Sequence, residues 1–194
     1  MEFMNNNTFN IVIAGVGGQG LITLTQVLAE AALSEGYDVK TSELHGIAQR
    51  GGSIETYVRF GKKVYSPLID SGKADLIISL ELQEGLRKIG FANSKTIFVV
   101  NDSYIPYYGG LREEEVKEKI KLLLKNRLQL VPASLVCKKE LDNEVVSGIY
   151  LLGFCVFKKL IPLKPESILK AIEKNVPAKH LEVNRQSCHL AKNG

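Results

Sequence analysis

The 194-residue sequence predicts an α/β domain: a doubly wound, mostly parallel sheet with an inserted β-hairpin and a helical C-terminal part. Three observations lead there. Short apolar, β-branched runs alternate with segments of helical periodicity, the pattern of a parallel sheet wrapped by helices. A glycine-rich turn, Gly15 to Gly20, follows the first run directly and opens the first helical segment. Beyond Gly52 the chain alternates strictly between apolar and polar positions, which adds an antiparallel element.

Phe9 to Ala14 (FNIVIA) is a buried strand, and Leu21 to Leu33 carries Leu, Ile, Val and Ala at helical spacing, ended by Gly36. Tyr37 to Leu44 is a second strand. Ser53 to Phe60 sets Ile54, Thr56, Val58 and Phe60 against Ser53, Glu55, Tyr57 and Arg59, a period of two. Gly61-Lys62-Lys63 then reads as a hairpin turn, returning through Val64 and Tyr65 to Pro67. Ala74 to Leu80 and Lys95 to Asn101 are further strands, separated by a helical segment from Glu81 to Ile89. Arg112 to Lys125 is a helix with Val116, Ile120 and Leu123 on one face, and Glu113–Lys117 and Glu115–Lys119 make favourable pairs along it. Arg127 to Val131 is a strand stopped by Pro132. Three helices follow: Asn143 to Lys159, Pro165 to Lys174 and Ala178 to Ala191. No repeat, low-complexity segment or linker divides the chain, so residues 1–194 are read as one domain.

Composition excludes several classes. The formal charge is +4, but lysines and arginines are spread along the chain, and the densest stretch, Arg112 to Arg127, interleaves them with four glutamates. That is a solvated helix face, and no nucleic-acid partner is expected. The longest apolar run, Val145 to Phe157, has thirteen residues, short of the roughly 20 needed to span a bilayer. The first ten residues lack the basic and apolar regions of a secretory signal. A cytoplasmic protein without a membrane partner is the expectation. Cys137, Cys155 and Cys188 are far apart, without a Cys-x-x-Cys; they read as buried small hydrophobes, with no metal site. His180 and His189 have no companion at metal-ligand spacing and read as surface residues. Ser53 has no triad context and takes no nucleophile role.

Two motifs carry chemistry. Gly15, Gly17 and Gly20 fit G-x-G-x-x-G, opening a helix after a strand, so Gly15, Gly17, Gly18, Gln19 and Gly20 are candidates for a pyrophosphate or a partner contact. A dinucleotide reading also requires an acid about 20 positions on, and Glu43 is in that neighbourhood. Glycine packing of a helix close against the sheet is the plainer alternative. The second motif, ELHGIAQRGGS from Glu43 to Ser53, places His45, Gln49 and Arg50 in a loop with Gly46, Gly51 and Gly52. Arg50 offers a rigid fork for carboxylate or phosphate, or a structural pair with Glu43 or Glu81; His45 offers proton transfer near neutral pH, or a hydrogen-bonded loop histidine.

With both motifs in hand, the chain resembles the gamma-type subunits of 2-oxoacid:ferredoxin oxidoreductases, and among them the small (beta) subunit of the indolepyruvate type. The resemblance rests on GVGGQG, ELHGIAQRGGS, VRFG (58–61), VYSPLI (64–69), ADLIISLE (74–81) and Leu151-Leu152-Gly153. It implies a Rossmann-like gamma-type catalytic domain, active only in a complex. The family decarboxylates a 2-oxoacid such as pyruvate, indolepyruvate or another aryl pyruvate on thiamine diphosphate. Electrons pass through [4Fe-4S] clusters to ferredoxin, and the acyl group is captured on coenzyme A. Thiamine diphosphate and clusters are expected on the larger alpha subunit, with no cofactor held by this chain alone, and His45, Gln49 and Arg50 near the partner's active site. Two positions depart from the family pattern: Gly148 stands where Asn is usual before Leu-Leu-Gly, and Cys188 stands where an aromatic is usual. A stand-alone NAD(P)-binding oxidoreductase and a non-catalytic assembly subunit are the alternatives.

Overall fold

A computed structural model describes residues 8–46 and 51–194, apart from the side chain of His45. Six strands form one sheet in the order β2-β3-β1-β4-β5-β6. They are β1 (Phe9–Val16), β2 (Asp38–His45), β3 (Ser53–Gly61), β4 (Ala74–Ser79), β5 (Ala92–Asn101) and β6 (Leu128–Val131). β1, β4, β5 and β6 are parallel neighbours, while β3 runs antiparallel to both β1 and β2. The mostly parallel sheet with an inserted hairpin is therefore present.

Strand alternation sorts the core into two layers. Ile11 and Ile13 of β1 pack with Val58, Phe60, Leu76, Ile78 and Val99 under α1 (Leu21–Ser34), α5 (Ser147–Phe157) and α6 (Pro165–Asn175). Val12, Ile77, Phe98 and Val100 face the other way, against Leu82 of α2 (Leu82–Arg87) and Val116, Ile120 and Leu124 of α3 (Glu113–Leu124). α5 is buried over nearly its whole length because α4 (Ala133–Leu141) and α7 (Ala178–Leu190) pack around it. One buried polar pair ties the first layer to the sheet: the hydroxyls of Thr25 on α1 and Thr56 on β3 lie 2.7 Å apart. No helix among the described residues is long and apolar enough to cross a membrane.

Three expectations need correction. The hairpin is β2–β3, joined through residues 46–52, and Gly61 to Lys63 is not its turn. Residues 64–67 form no strand; the Val64 N–H instead donates to the Asp38 carboxylate at 2.8 Å, tying the chain to the start of β2. On α3 the buried stripe is Val116, Ile120 and Leu124, at intervals of four, whereas Leu123 is exposed. Helix α4 was not foreseen; it follows Pro132 and buries only Ala133 and Cys137.

Candidate functional site at the carboxyl ends of the strands

The first strand leads into α1 on one face of the sheet, and β4 leads into α2 on the other. The carboxyl ends of the adjacent β1 and β4 thus mark a topological switch point, where open α/β sheets bind ligands. The glycine turn lies there. Gly15 and Val16 finish β1, Gly18 (φ +103) and Gly20 (φ +78) turn the chain in conformations that favour glycine, and α1 begins at Leu21.

Much of the turn's hydrogen bonding is directed inward. The Val16 N–H donates to Gln19 Oε1 at 2.7 Å, and Gln19 Nε2 reaches the Leu80 carbonyl at 3.5 Å. Gln19 therefore closes the turn. Gly15 is required for this: a Cβ there would stand 2.6 Å from Gln19 Oε1 and 3.1 Å from Leu80 Cβ. Gly17 donates to the Gly52 carbonyl at 3.0 Å. Gly18 is exposed, with nothing among the described residues within 4 Å of where its Cβ would be, so its backbone is presented openly with respect to them.

The Gly17–Gly52 bond stitches the turn to the end of the HGIAQRGG segment. His45 is the last residue of β2, paired with Ile54 of β3. Gln49 and Arg50 lie outside the described residues. Glu43 is exposed on β2, and β3 separates that strand from β1. A dinucleotide's ribose acid would have to sit beside β1, where β3 runs, so Glu43 lies one strand spacing too far out, roughly 10 Å from β1.

A buried acidic group, not foreseen, supports the re-entry of this loop. Ser53, the first residue of β3, donates its hydroxyl to Glu84 Oε2 at 2.6 Å. Glu84, almost fully buried on α2, also pairs with Arg87, whose guanidinium lies 5.2 Å from the Tyr107 ring centroid. Glu81, equally buried, caps α2 by accepting the N–H groups of Gln83 and Glu84. Burial pushes the Glu81 carboxyl above its usual range, against the pull of those two backbone bonds. The only sequence signal for this pair was two glutamates within an otherwise apolar strand–helix junction. Alongside, Lys88 pairs with Glu55, which accepts the Tyr57 hydroxyl at 2.7 Å; burial keeps that phenol protonated. Leu44, Gly46, Ser53, Glu55 and Lys88 border an open depression of about 330 Å³.

The three cysteines are buried and free. Burial raises the Cys137 and Cys155 thiols, and Cys188 is pushed up to about 12. Clusters are typically held by four cysteine thiolates, and this chain has three cysteines. They do not fit an iron–sulfur cluster. Among the described residues no His/Cys/Asp/Glu group has the makings of a metal site. His180 is exposed on α7, and His189 is exposed in its last turn.

The chain is 35% identical over 188 residues to indolepyruvate oxidoreductase subunit IorB of Pyrococcus horikoshii, covering 94% of this chain and 93% of that one. Its fold matches the crystal structure of pyruvate oxidoreductase subunit PORC of Thermotoga maritima, with a TM-score of 0.71 at 21% identity and 97% of both chains covered. It also matches a 2-oxoglutarate:ferredoxin oxidoreductase of Magnetococcus marinus, with a TM-score of 0.73 at 17% identity. There the fold covers 97% of this chain but 31% of the other, so it is one part of a longer polypeptide. Residues 10–194 match the family model described as pyruvate ferredoxin/flavodoxin oxidoreductase, and the chain belongs to that family.

Proposed function

We propose that this chain is the small subunit of a cytoplasmic 2-oxoacid:ferredoxin oxidoreductase whose substrate is indolepyruvate or another aryl pyruvate. The near-full-length match to IorB carries this reading. The reaction takes a 2-oxoacid and coenzyme A to an acyl-CoA and carbon dioxide, and its two electrons reduce ferredoxin. Thiamine diphosphate and [4Fe-4S] clusters on the larger alpha subunit supply decarboxylation and electron transfer; the three cysteines of this chain, one short of a cluster's usual four, are consistent with that division.

The chain's own contribution is a wall of the active site. Gly18 offers open backbone to a phosphate of coenzyme A or to the partner, while Gln19 holds the turn from inside. Arg50 is proposed to recognise the substrate carboxylate or a coenzyme A phosphate, with His45 and Gln49 beside it as a proton carrier and a polar contact. Ser53 and Glu84 fix where that segment rejoins the sheet. The nicotinamide alternative is weakened by the placement of β3 between Glu43 and the glycine turn.

The test is coexpression with the larger subunit. A copurifying iron–sulfur protein that reduces ferredoxin with indolepyruvate, dependent on coenzyme A, is the expected result. A lone chain that reduces NAD without a second protein would overturn the proposal.

A further inference from the structure

The loop between β5 and α3 lies at the carboxyl ends of the strands, on the same edge of the sheet as the glycine turn. It carries Ile105, Tyr107 and Tyr108 on the surface: Ile105 is 40% exposed, Tyr107 half-exposed and Tyr108 fully exposed. No lysine, arginine, aspartate or glutamate occurs from position 103 to position 111. The charges that flank this stretch are matched within the chain, Asp102 by Lys117 and Arg112 by Glu115. An uncharged, aromatic surface rimmed by ion pairs is the anatomy of an interface core and its rim.

The loop is held in shape by the rest of the chain. The Leu82 N–H donates to the Ser103 carbonyl at 2.9 Å and Gln83 Nε2 to the Ile105 carbonyl at 3.2 Å, so α2 carries one limb. Tyr104 donates its hydroxyl to the Leu111 carbonyl and closes the base. The Gly110 N–H returns to the Tyr107 carbonyl at 3.0 Å, and a Cβ on Gly110 would stand 2.9 Å from the Tyr107 ring. The Arg87 guanidinium lies 5.2 Å from that ring's centroid and pairs with Glu84, the carboxylate that receives Ser53. Two side chains thus join the tyrosine loop to the point where the HGIAQRGG segment re-enters the sheet. Fixing a loop in advance lowers the entropy cost of association, and tyrosine is among the residues enriched in binding hot spots.

We propose that Ile105, Tyr107 and Tyr108 dock this chain onto the larger subunit, in an apolar pocket free of charged residues. The identity of the partner rests on the oxoacid reading, which puts that subunit against the carboxyl edge beside Ser53 and Glu84. The tyrosine loop is continuous with that edge, so a subunit seated over one covers the other, and a second copy of this chain here would obstruct it. The matching pocket is uncharged because a charge buried against this loop would lose its water and meet no opposite charge.

The test uses the complex of the full chain with the large subunit, made by coexpression, and follows displacement of the bound chain by an excess of tagged wild-type chain. Tyr108→Ala should leave the complex about tenfold faster or more, and Ile105→Asp with Tyr108→Asp should leave faster still or fail to assemble. The acceleration by Tyr108→Ala should persist from about 0.05 to 0.5 M salt, since it removes no charge. Tyr65→Asp, at an exposed position beyond β3 at the opposite end of the strands, should exchange like wild type. Unfolding midpoints of the free variants should match wild type; Tyr108→Ala, at a fully exposed position, decides the outcome even where the double variant misfolds. Wild-type exchange rates in the loop variants, acceleration by Tyr65→Asp instead, or an acceleration that vanishes at high salt would each overturn the docking surface. So would dispersal of a homo-oligomer by Tyr108→Ala with the complex unaffected. A complex that still reduces ferredoxin with the oxoacid would leave the oxoacid reading standing in those cases, whereas a wild-type chain that never joins the large subunit overturns both.

Discussion

Gln19 Oε1 accepts the N–H of Val16 at 2.7 Å, and the same oxygen lies 2.6 Å from where a Cβ on Gly15 would stand. The Gln19 side chain thus occupies the volume that the first glycine of the turn leaves open. Gly15→Ala is expected to destabilise the chain by about 1–3 kcal/mol, as overpacking does. Gln19→Leu should cost about as much by leaving the Val16 N–H unpaired. Gly90→Ala, exposed with nothing among the described residues within 4 Å of the added carbon, should stay within about 0.5 kcal/mol of wild type. Urea unfolding of the three variants checks the ranking.

Ser53 and Glu84 provide a second prediction. Ser53→Ala leaves the buried Glu84 carboxylate with one fewer donor, and Glu84→Gln weakens both its bond to Ser53 and its ion pair with Arg87. The two changes share a partner, so they should be non-additive, with a coupling of about 0.5–3 kcal/mol in a double-mutant cycle of unfolding free energies. Additivity within error would mean that the Ser53–Glu84 bond contributes nothing to the re-entry of the loop.

The strands were legible in the sequence because burial on both faces makes them near-continuous apolar runs, as in FNIVIA and ADLIISL. Less was visible where the signal depends on a partner. Leu122, Leu123 and Leu124 are adjacent on α3, and only packing against β5 and β6 selects Leu124 as the buried one. Gly61-Lys62-Lys63 has turn chemistry, yet the chain beyond it is held by the Asp38 side chain instead of a backbone ladder. Helix α4 buries one narrow stripe, too little to show as periodicity. At the site, the glycine turn and its position were readable. That Gln19 points inward, and that Glu81 and Glu84 are buried beside Ser53, depends on contacts across 31 to 61 residues.

Arg50 is the residue on which the proposed catalysis leans most. Arg50→Ala is expected to lower kcat/KM of the assembled enzyme by about 10- to 100-fold, corresponding to the loss of a charged hydrogen bond of roughly 1.5–3 kcal/mol. Assembly with the large subunit and the thermal unfolding midpoint should be unchanged. Unaltered kinetics with intact assembly would assign the segment a purely structural role.

Glu81 makes the final prediction, through pH. In the unfolded chain its carboxyl titrates near the ordinary 4.5, whereas burial raises it in the folded protein. As pH rises above about 4.5 the unfolded state releases this proton first, so the folded state holds more protons across the window up to its raised value. Through that window Glu81 makes stability fall with rising pH, and burial of Asp75 contributes in the same direction. Asp38 and Glu115, whose carboxyls are held low chiefly by backbone N–H bonds, act with the opposite sign at lower pH. The measurement must therefore isolate Glu81: unfolding free energies of wild type and Glu81→Gln, taken at matched pH values from 4 to 8 (a range set by the ordinary carboxylate value and neutrality). Their difference should move against wild type as pH rises and level off once the folded carboxyl is ionised. A difference that favours wild type with rising pH would show that the two backbone bonds capping α2 outweigh the desolvation of the charge.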